Sequence, residues 1–260
     1  MKVRVVKVGG RVLGEPDWLA RFGELAARAG DGLVVVHGGG PEVDELCGRL
    51  GVPVERASGL RVTTPEVLDV ASMVLSGRLN KRLVRRLVGA GVDALGVSGE
   101  DGGLVVAEPA ANGALGRVGE NVRVRGELLR RLLALGVVPV ISPISRGTDG
   151  GALNVNADDV ATAVAVALGA IELLFVTDVA GVHDGTKERA TLDAAEAAVL
   201  LSCGVARDGM AVKLKAGLRA LRSGVTAVRI GPVEALADSR VGTWLGRTAG
   251  AAGMPGELAV

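Results

Sequence analysis

Val3-Arg4-Val5-Val6-Lys7-Val8-Gly9-Gly10 and Leu33-Val34-Val35-Val36-His37-Gly38-Gly39-Gly40 share one pattern. A short Val-rich run carries a polar residue near its end and then breaks on glycines. Apolar runs of this length bounded by turn residues predict buried strands. Each is followed by a helical pattern, over residues 18–29 in the first case and 41–50 in the second. Residues 93–97, 137–141, 173–176 and 227–230 supply further buried-strand candidates. Strands alternating with helices predict an α/β fold, an open, mainly parallel sheet sandwiched between helices. Right-handed crossovers place the glycine turns along one edge of that sheet.

The chain has 260 residues, enough for one large α/β unit or two modest lobes. Charged residues make up 23% and nearly cancel, leaving a net charge of +1, which argues against a polybasic nucleic-acid binder. With no Tyr, a base-stacking surface is not expected either. No apolar run is long and uninterrupted enough to span a bilayer, and the opening MKVRVVKVGG does not read as a signal peptide. The expectation is a soluble cytoplasmic protein with neither nucleic acid nor membrane as partner. Cys47 and Cys203 lack metal-like spacing and read as buried small hydrophobes in a reducing compartment.

The longest helix is predicted from Pro65 to about Gly89, with Thr64 as its cap. Asn80, Lys81 and Arg82 interrupt its apolar stripe, so that part is expected to meet solvent or a partner subunit. A second clear helix spans residues 158–168 after a loop at 154–157, and a hinge between lobes is inferred near Gly169.

Lys7 with Gly9 and Gly10 sets an ammonium beside backbone N–H groups that a phosphate can approach closely. Gly38-Gly39-Gly40 ends a second strand and opens a helix, whose N-terminus also favours an anion. Side by side, the two turns suit a ligand with several negative charges. Each has an ordinary alternative, since glycines are common turn residues. His37 is either catalytic or, as preferred, a structural imidazole bonding to backbone. Asn154-Val155-Asn156-Ala157-Asp158-Asp159 caps a helix or lines a site. Lys213 in Asp208-Gly209-Met210-Ala211-Val212-Lys213 reads alone as a surface charge. Arg61 in Gly59-Leu60-Arg61-Val62-Thr63 binds a carboxylate or decorates the surface.

In order, KVGG, VHGGG, GLRVT before a long helix, NVNAD, TDVAG and DGMAVK resemble the amino acid kinase family. GLRVT with NVNAD and DGM-x-x-K is similar to its acetylglutamate branch, and the resemblance runs from Lys7 to about Thr243. It implies a single amino acid kinase domain over 1–260. Lobe 1–168 would bind the acyl-amino acid and dimerise, and lobe 169–260 would bind the nucleotide. The implied reaction transfers the ATP γ-phosphoryl group, with Mg²⁺, to the side-chain carboxylate of N-acetyl-L-glutamate in arginine biosynthesis. Catalysis would fall to Lys7, Lys213, Asp158, Gly10 and Gly39, with Asp158 holding both ammonium groups. Substrate binding would fall to Gly39, Gly40, Arg61 and Asn154. The nucleotide site would comprise Lys7, Gly9, Gly10, Thr177, Asp178, Gly181 and Lys213. Thr64 stands where many relatives carry Asp, and Glu100 where a basic residue often occurs. Six residues before Lys7 leave no room for the N-terminal helix of arginine-inhibited hexamers, so the expectation is a homodimer without that feedback. The rivals are a sister kinase acting on N-succinylglutamate or carrier-linked aminoadipate, and a non-catalytic sensor with the same fold.

Overall fold

A computed structural model describes residues 1–30, 32–57 and 60–246. The strands run in chain order as β1 (Arg4–Val8), β2 (Leu33–His37), β3 (Arg56–Ala57), β4 (Leu60–Arg61), β5 (Ala94–Ser98), β6 (Val105–Pro109), β7 (Val118–Val124) and β8 (Val138–Ser142). They continue as β9 (Ile144–Gly147), β10 (Ala152–Val155), β11 (Glu172–Val176), β12 (Val182–His183), β13 (Glu188–Arg189), β14 (Thr191–Asp193), β15 (Val228–Gly231) and β16 (Thr243–Gly246). The helices are α1 (Pro16–Arg28), α2 (Gly40–Leu50), α3 (Pro65–Ser72), α4 (Asn80–Gly89), α5 (Gly126–Ala134), α6 (Ala157–Leu168), α7 (Ala194–Ser202) and α8 (Asp208–Arg222).

Eight strands form one sheet in the order β14-β16-β15-β11-β1-β2-β8-β5. Every pairing in it is parallel except β15 with β16. Strand alternation sends Val5, Val34, Leu173 and Phe175 into one core layer, shared with Val160 and Val164 of α6. Val6, Val8, Val35 and Leu174 enter the other, with Phe22, Leu83 and Leu87. The same alternation puts Lys7 on the α6 side of the sheet and His37 on the α4 side.

The long helix forms over residues 65–89, and the Thr64 side chain accepts from Val67 N. Its middle, Met73–Leu79, is π-helical. Ala71, Leu75, Leu79, Leu83 and Leu87 are all buried at steps of four. In a straight α-helix each such step drifts by about 40°, and the wider π turn absorbs the drift. Asn80 consequently points inward and is fully buried, not toward solvent or a partner as the interrupted stripe suggests.

Two further expectations need correction. Asn154 lies in β10, not in a loop, and β10 closes a four-stranded barrel with β7, β6 and β9 that sequence reading missed. Gly169 is the left-handed cap of α6, and β11 beyond it pairs directly with β1. Cys47 is buried, but Cys203 is exposed. No helix among the described residues is long and apolar enough to cross a membrane.

A buried ionic cluster ties the sheet together at the end away from the glycine turns. Glu172 Oε1 accepts from Arg229 Nε at 2.7 Å, and its Oε2 from Arg4 Nε at 2.9 Å. Arg229 is 2% exposed, also donates to the carbonyl of Asp238, and lies 4.5 Å from the Trp244 ring centroid. Arg229→Met removes one partner of a buried pair while Arg4 retains the other, and is expected to destabilise the fold by about 3 kcal/mol. Urea denaturation checks this, and a loss under about 1 kcal/mol would show the cluster to be peripheral.

Candidate active site

β1 lies between β2 and β11 with all three strand ends level, Val8 opposite His37 on one side and Val176 on the other. Gly9-Gly10, Gly38-Gly39-Gly40 and Thr177-Asp178 therefore leave the sheet abreast. The first two turns touch. A Cβ on Gly10 would sit 2.9 Å from Gly39 Cα, and one on Gly39 would lie 2.1 Å from Leu79 Cδ1. Gly38 N donates to Val8 O at 3.0 Å, pinning one turn to the other strand. α2 starts at Gly40, so its unpaired N-terminal N–H groups point toward the same place.

A cleft of about 660 Å³ opens over these turns, lined by Lys7, Gly9, Gly10, Gly40, Thr177, Asp178 and Lys213. Lys7 Nζ lies 2.7 Å from Asp158 Oδ1, and both residues are buried. Asp158 stands in the first turn of α6, whose Asn156 cap accepts from Asp158 N. Lys213 enters from the first turns of α8.

A second cavity, of about 310 Å³, adjoins the cleft and is lined by Gly40, Arg56, Arg61, Asn154 and the barrel residues Val118 and Gly119, among others. Arg61 Nη2 donates to Gly40 O at 2.8 Å and to Asp44 Oδ1 at 2.6 Å. Its Nε is buried and unpartnered, a donor left over for a ligand. Asn154 Nδ2 donates to Thr63 Oγ1 at 3.2 Å. Gly40 and Arg56 line both cavities.

The structure thus gathers Lys7, Gly9, Gly10, Gly40, Thr177, Asp178 and Lys213 around the cleft, and Arg61 and Asn154 around the smaller cavity. Gly39 lies beneath, wedged between Gly10 and Leu79. Gly181 is placed elsewhere, buried where a Cβ would meet Thr243 and Glu188. Gly59 lies outside the described residues. Sequence reading missed Asp44 and Arg56, and singled out Asp159 only as part of the run over residues 154–159. Asp44 was within reach, four residues after Gly40 on one helix face. Its carboxylate pairs with Arg56 at 2.7 Å as well as with Arg61. Asp159 lines the smaller cavity, pairs with Arg219 of α8, and has its carboxyl pushed up by burial.

Residues 2–232 match the amino acid kinase family. The chain belongs to the amino acid kinase family. It is 45% identical over 239 residues to the acetylglutamate kinase of Chloroflexus aggregans, covering 91% of this chain and 94% of that one. It is 45% identical over 251 residues to that of Geobacillus kaustophilus, covering 95% and 96%. A Streptococcus mutans protein, smu.665, superposes with a TM-score of 0.82 at 27% identity, covering 94% of this chain and 98% of that one. The chain is a kinase, a phosphotransferase of this family.

In this kinase, His37 is fully buried beneath the second glycine turn. Burial, opposed by the contact with Gly38 and reinforced by Lys7 and Lys81, lowers its pKa from 6.5 to about 4. Between those values the unfolded chain binds a proton that the folded imidazole refuses, so stability falls as pH drops through this window. The full effect is about 3 kcal/mol. Urea denaturation at pH 7 and pH 4.5 is expected to show a smaller loss for His37→Gln than for the unsubstituted protein. Equal losses would contradict a neutral buried His37.

Proposed function

We propose that the protein is an acetylglutamate kinase, transferring the γ-phosphoryl group of Mg·ATP to the side-chain carboxylate of N-acetyl-L-glutamate in arginine biosynthesis. The observation that carries this reading is the pair of cavities meeting at Gly40 and Arg56. One has two lysines and glycine N–H groups for phosphates, and the other has a buried guanidinium and an amide for a small amino-acid derivative.

A carboxylate is ionised at neutral pH and needs no base to attack phosphorus. The barrier is the approach of two anions, so catalysis rests on position and charge compensation. Lys7 and Lys213 would neutralise the transferring group, with Gly9, Gly10 and Gly39 N–H groups on its oxygens. Asp158 would keep the Lys7 ammonium aimed at the cleft. Arg61, already anchored to Asp44, would take the α-carboxylate, and Asn154 the polar groups beside it. Thr177 and Asp178 would face the nucleotide. Among the described residues no three His, Cys, Asp or Glu side chains gather as a metal-holding group. Mg²⁺ entering with the nucleotide would offset phosphate charge beside Lys7 and Lys213.

Residues 1–168 would form the acyl-amino-acid lobe and 169–260 the nucleotide lobe of a cytoplasmic homodimer. The dimer reading is supported by the edge strand β5, where Leu95 is exposed, and by exposed Met73 on the neighbouring helix. Sedimentation at micromolar concentration is expected to give twice the 26.3 kDa chain mass, and a monomer would refute it.

A hydroxylamine trap tests the reaction, with Mg·ATP and N-acetylglutamate beside N-succinylglutamate, glutamate, aspartate and uridylate. Hydroxamate confined to N-acetylglutamate is expected. A stronger signal with N-succinylglutamate would overturn the substrate, and no ADP from any acceptor would overturn the activity. Lys7→Ala and Lys213→Ala are each expected to lower kcat by about 100-fold or more while circular dichroism is retained. Arg61→Ala is expected mainly to raise KM for the acyl-amino acid, by about 30-fold. Normal turnover in either lysine variant would remove that lysine from the mechanism.

A further inference from the structure

Two buried polar side chains outside both cavities form a chain that ends at the second glycine turn. His37 Nδ1 lies 3.0 Å from Gly38 O, and its Nε2 lies 3.2 Å from Asn80 Nδ2. A carbonyl oxygen only accepts, so Nδ1 must carry the proton in the first contact. Asn80 Nδ2 also lies 2.8 Å from the Val140 carbonyl, which fixes the amide with its nitrogen on that side. The second amide hydrogen faces His37 Nε2 at 3.2 Å and, further off at 3.4 Å, the Val97 carbonyl; with the ring proton already on Nδ1, the nearer Nε2 is the accepting, unprotonated nitrogen. Lys81 Nζ closes the other end, donating to Asn80 Oδ1 at 3.1 Å and to Gly96 O at 2.8 Å.

In a trans peptide the carbonyl and the following N–H point in opposite directions. Holding the Gly38 carbonyl toward His37 therefore turns the Gly39 N–H away from the helix side, toward Gly10 and the cleft. The Gly39 nitrogen lies 3.0 Å from the position a Cβ on Gly10 would take. A wrong tautomer, with the proton on Nε2, would face two lone pairs at Gly38 and two donors at Asn80.

We propose that Asn80 is a positioning residue for phosphoryl transfer: it fixes His37 in its Nδ1–H form, and His37 aims the Gly39 N–H at the transferring phosphoryl group. The inference deepens the kinase reading and rests on it. Neither side chain touches substrate. Their effect passes through one peptide plane, which explains why an amide and an imidazole occupy an otherwise apolar layer.

Nitrogen-15 histidine spectra of the whole protein test the tautomer without reference to activity. The chain has two histidines, and His183→Gln leaves only His37. The expected spectrum shows protonated Nδ1 and unprotonated Nε2 from pH 8 to pH 5. An Nε2–H form would overturn the proposal. Asn80→Asp tests the consequence. An ionised carboxylate accepts only, so Nε2 must carry a proton, and the neutral ring then releases Gly38. At pH 8 kcat is expected to fall about tenfold or more. It should recover toward pH 6, where the imidazolium makes both bonds beside Lys7 and Lys81. Asn80→Leu is expected to fall as far without recovery. Folded variants with unchanged kcat would overturn the positioning role, and should a variant not fold, the histidine spectrum decides. Absence of any phosphoryl transfer by the unsubstituted protein would instead refute the kinase reading, which the hydroxamate assay reports separately.

Discussion

Two backbones touch at Gly10 and Gly39, and the geometry of the cleft depends on that contact. A methyl group at Gly10 would press on Gly39 Cα, and a methyl at Gly39 would collide with Leu79 and Leu75. The turn is thus clamped between β1 on one side and the π-helical segment on the other. Level registers of β1 with β2 and β11 bring the glycine turns and Thr177-Asp178 to one height. With those three strand ends abreast, N–H groups and lysine ammonium groups converge without any loop having to reach.

Charge is organised by carboxylates that stand behind the cations. Asp158 holds Lys7, and Asp44 holds both Arg56 and Arg61. Lys7 and Arg61 are largely withdrawn from water and need such partners, because an unpaired charge there is costly, whereas Arg56 is exposed. The same pairing fixes the cations before a ligand arrives, so little reorganisation remains for the reaction. Asp44 connects this to the fold, since it sits one turn into the helix that Gly40 opens.

Much of this was legible in the sequence because local and global signals agree. β1, β2 and β11 are short, mostly apolar runs rich in Val and Leu, as strands buried on both faces should be, and Thr64-Pro65 starts a helix where capping chemistry demands one. The barrel was not legible. Its β7, Val-Gly-Glu-Asn-Val-Arg-Val, mixes exposed Glu and Arg with buried glycine and reads as a loop. Asn80 was misread because a polar residue on an apolar stripe usually faces water, and only the π turn and the carbonyl of Val140 reveal it as an interior donor. Gly181 fits a nucleotide turn by sequence, yet its near neighbours are Glu188 and Thr243, the latter a long-range contact that no local pattern announces.

In the proposed reaction a substrate carboxylate oxygen attacks phosphorus directly across the seam at Gly40 and Arg56. N-acetylglutamate labelled with oxygen-18 in its side-chain carboxylate, incubated with Mg·ATP and followed by phosphorus-31 NMR, tests it most directly. An acyl-phosphate signal displaced by one bridging oxygen-18 is predicted. A phosphorylated product whose phosphorus signal carries no isotope shift would show that another atom receives the phosphoryl group.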